Sequence, residues 1–455
     1  MDSTRPYWDM TVEPILNSPK IGQIQLSKLK KILARLKTHA PFYQRAFQEN
    51  GLDPDKLTGF SEFKDKVPLF SAGLLQKLLG EYNNDYLQVL DQVLPIKPEE
   101  IDLLAGTFGG SGLHALYPIT REDTDGPLGE TMVRGAWRAG VRKSDRILYC
   151  FPLSFAIEGV PSLIGLQKLG ATIIPVGNGL QTHRILQLQE MLHGNVFFGY
   201  PTLAERLIDE APSLIGKSVG ELGFKSVICG GEPGVGIPSV KAKLEDAFGC
   251  PVFDVGAGLG FSCRHKEYQG MHWLCEDLCY YELVDPDTKE PIPIKNGAVG
   301  EAALTVLEGS GMLMFRHSLG DIHKVFTEHC PCGQTGFRFK ILGRSDNILK
   351  VKGIMVYPDD IARVIKQFYP RLTGNLSIVL EEKPPRVIPP LKIKLEPAKN
   401  LKKEKRLELE AEIIATLKRE LRVETQIVWL KSGALQNNKN PGDILEKRYK
   451  NESST

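Results

Sequence analysis

Four short apolar runs recur between residues 100 and 260: Ile147–Cys150, Ala171–Val176, Asn195–Phe198 and Ser226–Cys229. Each is β-branched or aromatic, and an amphipathic segment separates it from the next. Runs this short and this continuously apolar must be buried on both faces, and their alternation with helical segments specifies βαβ units around a parallel sheet. The fold class follows: α/β, with parallel or mixed sheets flanked by helices in a large N-terminal domain. Beyond about residue 278 the strands crowd together and alternate in polarity, as in Tyr280–Val284 and Gly300–Val306. That change predicts a more antiparallel, barrel-like β region.

A second constraint lies at Gly343–Pro358, where a charged, glycine-flanked joint (Gly343, Arg344, Ser345, Asp346, Asn347) leads into the apolar positions Ile348, Val351, Ile354 and Val356. The pattern predicts a hairpin turning at Gly353, with Pro358 ending its second strand. It is either an ordinary surface hairpin or the hinge of a small domain that swings between reaction steps. The hinge reading divides the chain into 1–342, a hinge at 343–347, and a small α+β lid at 348–455. The lid text predicts a helix at 359–370, a strand at Leu376–Leu380, a proline-rich loop at 384–390 and a lysine- and glutamate-rich helix at 401–421. That last helix reads as a solvated face stiffened by i,i+4 ion pairs, against a partner-binding role. Near the N-terminus, Leu26, Leu29, Ile32, Leu33 and Leu36 at helical spacing predict a helix stopped by Pro41, with Phe42 and Tyr43 docking into the core.

Composition narrows the function classes. With 455 residues and 42% hydrophobic content, the chain can build more than one core. The 57 basic and 55 acidic side chains nearly cancel, which argues against nucleic acid or an anionic membrane as partner. No apolar run approaches the about 20 residues that cross a bilayer, and Met1–Pro6 carries no export signal. A cytoplasmic enzyme is the default expectation. Of the 8 cysteines, Cys263, Cys275, Cys279, Cys330 and Cys332 bunch together, which in a non-exported chain points to thiols or metal.

Two motifs carry chemistry. In Ala105–His114, Thr107, Gly109, Gly110, Ser111 and Gly112 can converge backbone N–H groups and hydroxyls on an anion; the same glycines also serve a plain tight turn. The Walker ending is absent, and no helix clearly opens after the loop as a dinucleotide fingerprint requires. Cys330-Pro331-Cys332-Gly333 is a knuckle that presents two thiolates to one point. Cys263, His265, His272, Cys275 and Cys279 lie upstream, enough to complete a tetrahedral zinc site, with reduced, partly buried thiols as the alternative.

The glycine-rich loop and the strand ending at Thr120 resemble the phosphate loop of the acyl-adenylate-forming (AMP-forming) ligases, in particular the phenylacetate–coenzyme A ligase branch. The likeness continues through Tyr7-Trp8, Ala40–Tyr43, Val67–Phe70, Gly230–Pro233, Glu282–Pro286, Gly300-Glu301, Arg316–Asp321 and the hinge. It implies that Gly109–Gly112 close over the ATP phosphates and that Gly231, Glu232 and Pro233 form part of the adenine pocket. Asp254 joins the nucleotide-binding set. Asp321 accepts from the ribose hydroxyls, its plainer alternative being a turn or N-cap aspartate. Arg344 assists at the ribose and Asp346 is the pivot. The family's C-terminal catalytic lysine corresponds to the region of Lys439, with Lys447 in reserve. Members of the branch pair one upstream cysteine and one histidine with such a knuckle, which selects Cys263, His272, Cys330 and Cys332, with His265 as the alternative imidazole. Cys275 and Cys279 then read as core.

The resemblance also shows departures. Gly256 stands where the family carries an aromatic residue, and Gly260 where it carries a glutamate that helps hold magnesium. An acid pocket lined by Phe155, Tyr200, Gly256 and Ala257 would suit a flat aryl acid. The implied function is an ATP-dependent carboxylate–coenzyme A ligase acting on an aryl or arylacetic acid, with magnesium, coenzyme A and a structural zinc, and homodimeric by family tendency. Its rivals are a same-fold enzyme with another acceptor, or a nucleotide- or acyl-binding protein without turnover.

Overall fold

The computed structural model describes residues 19–109, 112–232, 234–256, 260–309, 311, 314–334, 336–347, 349–351, 354–382, 386–387, 389–399, 401, 404–435 and 444–448. Two compact units emerge, one of residues 1–319 with 323–340 and the other of 320–322 with 341–455.

In the first unit, β1 (Leu103–Gly109) and β2 (Gly112–Ile119) form an antiparallel hairpin. The parallel strands are β3 (Arg146–Tyr149), β4 (Thr172–Pro175), β5 (Val196–Gly199), β6 (Ser226–Gly230) and β7 (Val252–Gly256). Every residue of β5 and β6 is buried, which is why their sequences are uninterrupted apolar runs. Pro175 is tolerated in β4 because that strand is the sheet edge. Helices alternate with the strands. Those at Pro201–Ile215 and Pro238–Phe248 start with proline at a first-turn position and end on Gly216 and Gly249 in the left-handed region.

The antiparallel continuation comprises β8 (Gly260–Ser262), β9 (Met271–Trp273), β10 (Cys279–Val284), β11 (Pro291–Ile292), β12 (Val299–Val306), β13 (His317–Phe326) and β14 (Arg338–Arg344). All join the parallel strands in one 12-stranded sheet, ordered β11-β10-β12-β13-β14-β9-β8-β7-β6-β5-β3-β4. The antiparallel region foreseen beyond 278 is therefore present and continuous with the parallel one.

The N-terminal helix stops before Pro41 as its sequence predicts, but a second helix follows at once. One helix spans Pro19–His39 and a second opens at Pro41 and runs to Glu49. Proline disfavours helical backbone at Ala40, yet suits the first position of the next helix. Tyr43 is fully buried among Leu29, Leu33, Phe63 and Phe315. Phe70 pairs through its backbone with Arg316 and Ser318, bringing together two segments far apart in sequence. Arg316 is buried, donates to the carbonyls of Lys64 and Val67, and forms a 3.1 Å ion pair with Glu282. Removing one partner strands the other charge. Glu282→Ala is expected to cost about 3–5 kcal/mol in denaturant unfolding; a change within about 0.5 kcal/mol would refute this role.

In the second unit, β15 (Leu349–Val351), β16 (Ile354–Val356) and β18 (Arg386–Val387) form one sheet. β17 (Leu372–Leu380), β19 (Leu391–Pro397), β20 (Thr425–Trp429) and β21 (Leu445–Lys447) form another. The expected helix at 359–370 spans Pro358–Lys366. The lysine- and glutamate-rich helix runs from Glu404 to Leu421, and its Leu409, Ile413 and Leu417 are buried against Ile378, Ile393 and Ile361. The charged face is solvated as expected, with Glu408, Glu412, Lys418 and Glu420 exposed, while an i,i+4 apolar stripe on the opposite face anchors the helix in the core. Glu412 and Glu420 pair outward with Arg371 and Arg363.

Candidate functional site

The chain runs from β3 to β4 on one side, then returns to place β5 on the other side of β3. Such a reversal opens a crevice at the carboxyl ends of the strands, where open α/β sheets take ligands. The segment after β3 and the residue after β5, Tyr200, occupy that switch point. Phe151 meets Tyr200 edge-on at 5.0 Å between ring centroids. Gly231, following β6, has φ +80°, and a Cβ there would lie 2.6 Å from the Tyr200 ring. Only glycine lets this turn sit against the tyrosine.

The glycine-rich hairpin reaches the same place. Gly106 donates its N–H to the Phe155 carbonyl at 2.8 Å, and Ile157 donates to the Gly106 carbonyl at 3.1 Å. Thr107 lies in β1, and Gly109 pairs with Gly112 across the hairpin end. Gly110 and Ser111 lie outside the described residues, as do Pro233 and Ala257. The Glu232 carboxylate accepts from the Thr202 N–H at 2.7 Å, capping the Pro201–Ile215 helix.

Asp254 is half-buried in β7 and accepts from the Tyr268 hydroxyl at 2.6 Å. Lys340 stands over the Tyr268 ring at 4.9 Å. Burial pushes the Asp254 carboxyl up to about 6, against the Tyr268 hydrogen bond and the Lys340 charge. An acid with a folded pKa above its unfolded value contributes stability below the unfolded value, and loses it as pH rises through the folded one. Wild-type thermal stability is therefore expected to fall relative to Asp254→Asn between pH 4 and 7; parallel melting curves would contradict this. Sequence reasoning named Asp254 but not Tyr268 and Lys340, whose proximity comes from tertiary packing.

Gly256, at the end of β7, pairs with Gly260 in β8. A Cβ at Gly260 would stand 2.5 Å from the Phe339 ring and 3.1 Å from Met271 Cβ. Phe339 is buried and stacks on His323 at 4.5 Å between ring centroids. Core packing thus occupies the position where the family resemblance places a magnesium-holding glutamate, and the residues present there do not fit that ligand.

Four of the soft donors converge. The ligand atoms of Cys263, His272, Cys330 and Cys332 all lie within 4.8 Å of one another. Cys263 follows β8, His272 lies in β9 opposite Phe261, and the knuckle precedes β14. Cys332 Sγ is 3.4 Å from His272 Nε2 and accepts from the Gln334 N–H at 3.4 Å, while Cys263 and Cys330 sulfurs are 3.8 Å apart. The Cys263 thiol is held far below its ordinary range, first by Cys332 and then by His272; its partner Cys332 is pushed up by the same hydrogen bond. Three cysteine sulfurs and one imidazole in such a cluster match the donor set of tetrahedral zinc. His265, the alternative imidazole, instead contacts Glu267 and Gln269. Cys275 and Cys279 are buried in the core.

In the second unit, Asp321 accepts from Arg344 at 3.2 Å, and Gly320 (φ +73°) gives the guanidinium its room, since a Cβ there would lie 2.5 Å from it. The Asp346 side chain and Lys439 lie outside the described residues; Lys447 is described only as backbone of β21. Among the described residues, no helix is long and apolar enough to cross a membrane.

No family model matches the chain. It is 26% identical over 369 residues to the phenylacetate–coenzyme A ligase of Thermus thermophilus, covering 79% of this chain and 78% of that one. It is 24% identical over 364 residues to the phenylacetate–coenzyme A ligase of Aromatoleum evansii, covering 78% of each. Among solved structures, 2-hydroxyisobutyryl-CoA ligase in complex with 2-HIB-AMP aligns with a TM-score of 0.82 at 23% identity, covering 94% of this chain and 89% of that one. The fold is accordingly that of the acyl-adenylate-forming CoA ligases. Within that class, the sequence likeness supports the phenylacetate–coenzyme A ligase branch.

Proposed function

We propose that the protein is an AMP-forming acid–coenzyme A ligase acting on an aryl or arylacetic acid. The observation that carries this reading is the junction at the β3/β5 switch point, where the glycine-rich hairpin is hydrogen-bonded to an aromatic-walled segment beside the Gly231 turn. A carboxylate oxygen attacks the α-phosphorus of ATP, pyrophosphate leaves, and an acyl adenylate results. The coenzyme A sulfur then attacks the acyl carbon and AMP leaves.

The chain's own contribution is positioning and charge stabilisation. Backbone N–H groups of Gly109–Gly112, with the hydroxyls of Thr107 and Ser111, would hold the phosphates. Gly231, Glu232, Pro233 and Asp254 would frame the base, and Asp321, held by Arg344, the ribose. Phe155, Tyr200, Gly256 and Ala257 would line the acid pocket. Lys439 would supply the cation of the first step, and Asp346 the pivot to the second. Gly260 provides no carboxylate for magnesium at that position. Exchange of labelled pyrophosphate into ATP, dependent on an added aryl acid, tests the reading; ATP binding without exchange for any acid would favour a non-turning-over binding protein. Exchange without thioester formation would favour another acceptor.

The Cys263, His272, Cys330 and Cys332 cluster would hold a structural zinc, tying β8, β9 and the turn before β14. One zinc per chain by elemental analysis is expected, falling below half in Cys330→Ser. Chelation is expected to lower the melting temperature by about 5 °C or more, since metal held only by the folded state adds to its stability. A metal-free protein with an unchanged melt would refute the site.

A further inference from the structure

Glu158 lies on the segment that leaves β3 at the switch point, and the backbone beneath it is fixed from three sides. The Tyr149 hydroxyl contacts the carbonyls of Glu158 and Gly159, at 2.9 and 2.6 Å. The two bonds between Gly106 and the Phe155 and Ile157 backbone hold the residues just before it. A Cβ at Gly159 would stand 2.0 Å from the Pro152 carbonyl oxygen, so the turn closes tightly behind it. The carboxylate is half-buried and, among the described residues, accepts one long bond, 3.4 Å, from the Tyr200 hydroxyl. Phe151 packs on the same Tyr200 ring. Burial first, and then the Glu158 charge, raises the pKa of both Tyr149 and Tyr200, so this negative charge is felt along the aromatic wall.

An ionised carboxylate offers about four acceptor sites, and one long bond engages little of that capacity. Set among aromatic rings, it loses solvation when an apolar ligand covers it, unless that ligand brings a donor. It also repels the carboxylate of an incoming acid, turning that end away from itself.

We infer that Glu158 makes the pocket selective for carboxylic acids carrying a hydrogen-bond donor, a hydroxyl or amino group, at the end away from the carboxylate. The inference rests on the reading of this crevice as the acid site of a ligase. Selection would come both from the new hydrogen bond and from the penalty on an acid that leaves Glu158 covered and unpaired.

The test is acid-dependent pyrophosphate exchange with matched pairs: phenylacetate against its 4-hydroxy and 4-amino derivatives, and benzoate against hydroxy- and aminobenzoates. Wild type is expected to favour the donor-bearing member by at least about tenfold in kcat/KM. Glu158→Leu is expected to lose that ratio through KM, and Glu158→Gln, which keeps an acceptor oxygen, to retain part of it. A folded variant with an unchanged ratio, or a wild type that prefers the plain acids, overturns the inference. An equal loss for every acid with a shifted magnesium requirement also overturns it, assigning the side chain to the metal. If wild type exchanges with no acid at all, the ligase reading itself falls, and the inference with it. Should Glu158→Leu fail to fold, the ratio in Glu158→Gln decides.

Discussion

Asp321→Ala is expected to lower acid-dependent pyrophosphate exchange by about 100-fold or more, while the melting temperature stays close to that of wild type. In the proposed site an ionised carboxylate accepts from two ribose hydroxyls, and such charge-assisted bonds contribute about 1.5–3 kcal/mol each. Each 1.36 kcal/mol is tenfold in rate, so losing both exceeds 100-fold. The structural cost should be small. Asp321 pairs with an Arg344 side chain that is 41% exposed, and pairs this open contribute about 0–1 kcal/mol. A fully active Asp321→Ala protein would return Asp321 to a turn residue and remove the ribose assignment.

Gly260→Glu, which restores the carboxylate expected from the family resemblance, should damage this protein. The new Cβ would lie 2.5 Å from the Phe339 ring, and that ring is buried and stacked on His323. Overpacking a filled core costs about 1–3 kcal/mol, and a carboxylate forced into the same space adds a desolvation penalty. A loss of about 3 kcal/mol or more in denaturant unfolding is expected, with no gain in exchange rate. A stable variant with faster exchange would mean that Phe339 yields and that the glutamate's site persists.

How much of this was legible in the sequence depended on whether a local pattern carried it. The parallel strands were readable because β5 and β6 are buried throughout, leaving no polar interruption in their text. Their spatial order was not, because nothing local says that β5 returns beside β3. Pro41 could be read as a helix stop, but its second role as a helix start needs the residues through Glu49 to be helical. The solvated face of the helix Glu404–Leu421 was readable, but its buried stripe of Leu409, Ile413 and Leu417 was hidden by the more numerous lysines and glutamates. The cysteine knuckle was visible as two thiols one residue apart. The choice of His272 over His265 came from resemblance, and the cluster itself is formed by pairing of β9 with β8. Tyr268 and Lys340 beside Asp254, and Glu158 beside Tyr200, are tertiary contacts without a periodic signal. The packing of Phe339 against Gly260 is of the same kind, joining β14 to β8.

Isotope transfer tests the central claim most directly. An accepted aryl acid labelled with ¹⁸O in its carboxylate, incubated with ATP and coenzyme A, should pass one labelled oxygen to the phosphate of AMP. That result requires attack of the carboxylate on the α-phosphorus. Label in inorganic phosphate with ADP as the nucleotide product, or AMP free of label, would contradict an acyl adenylate at this site.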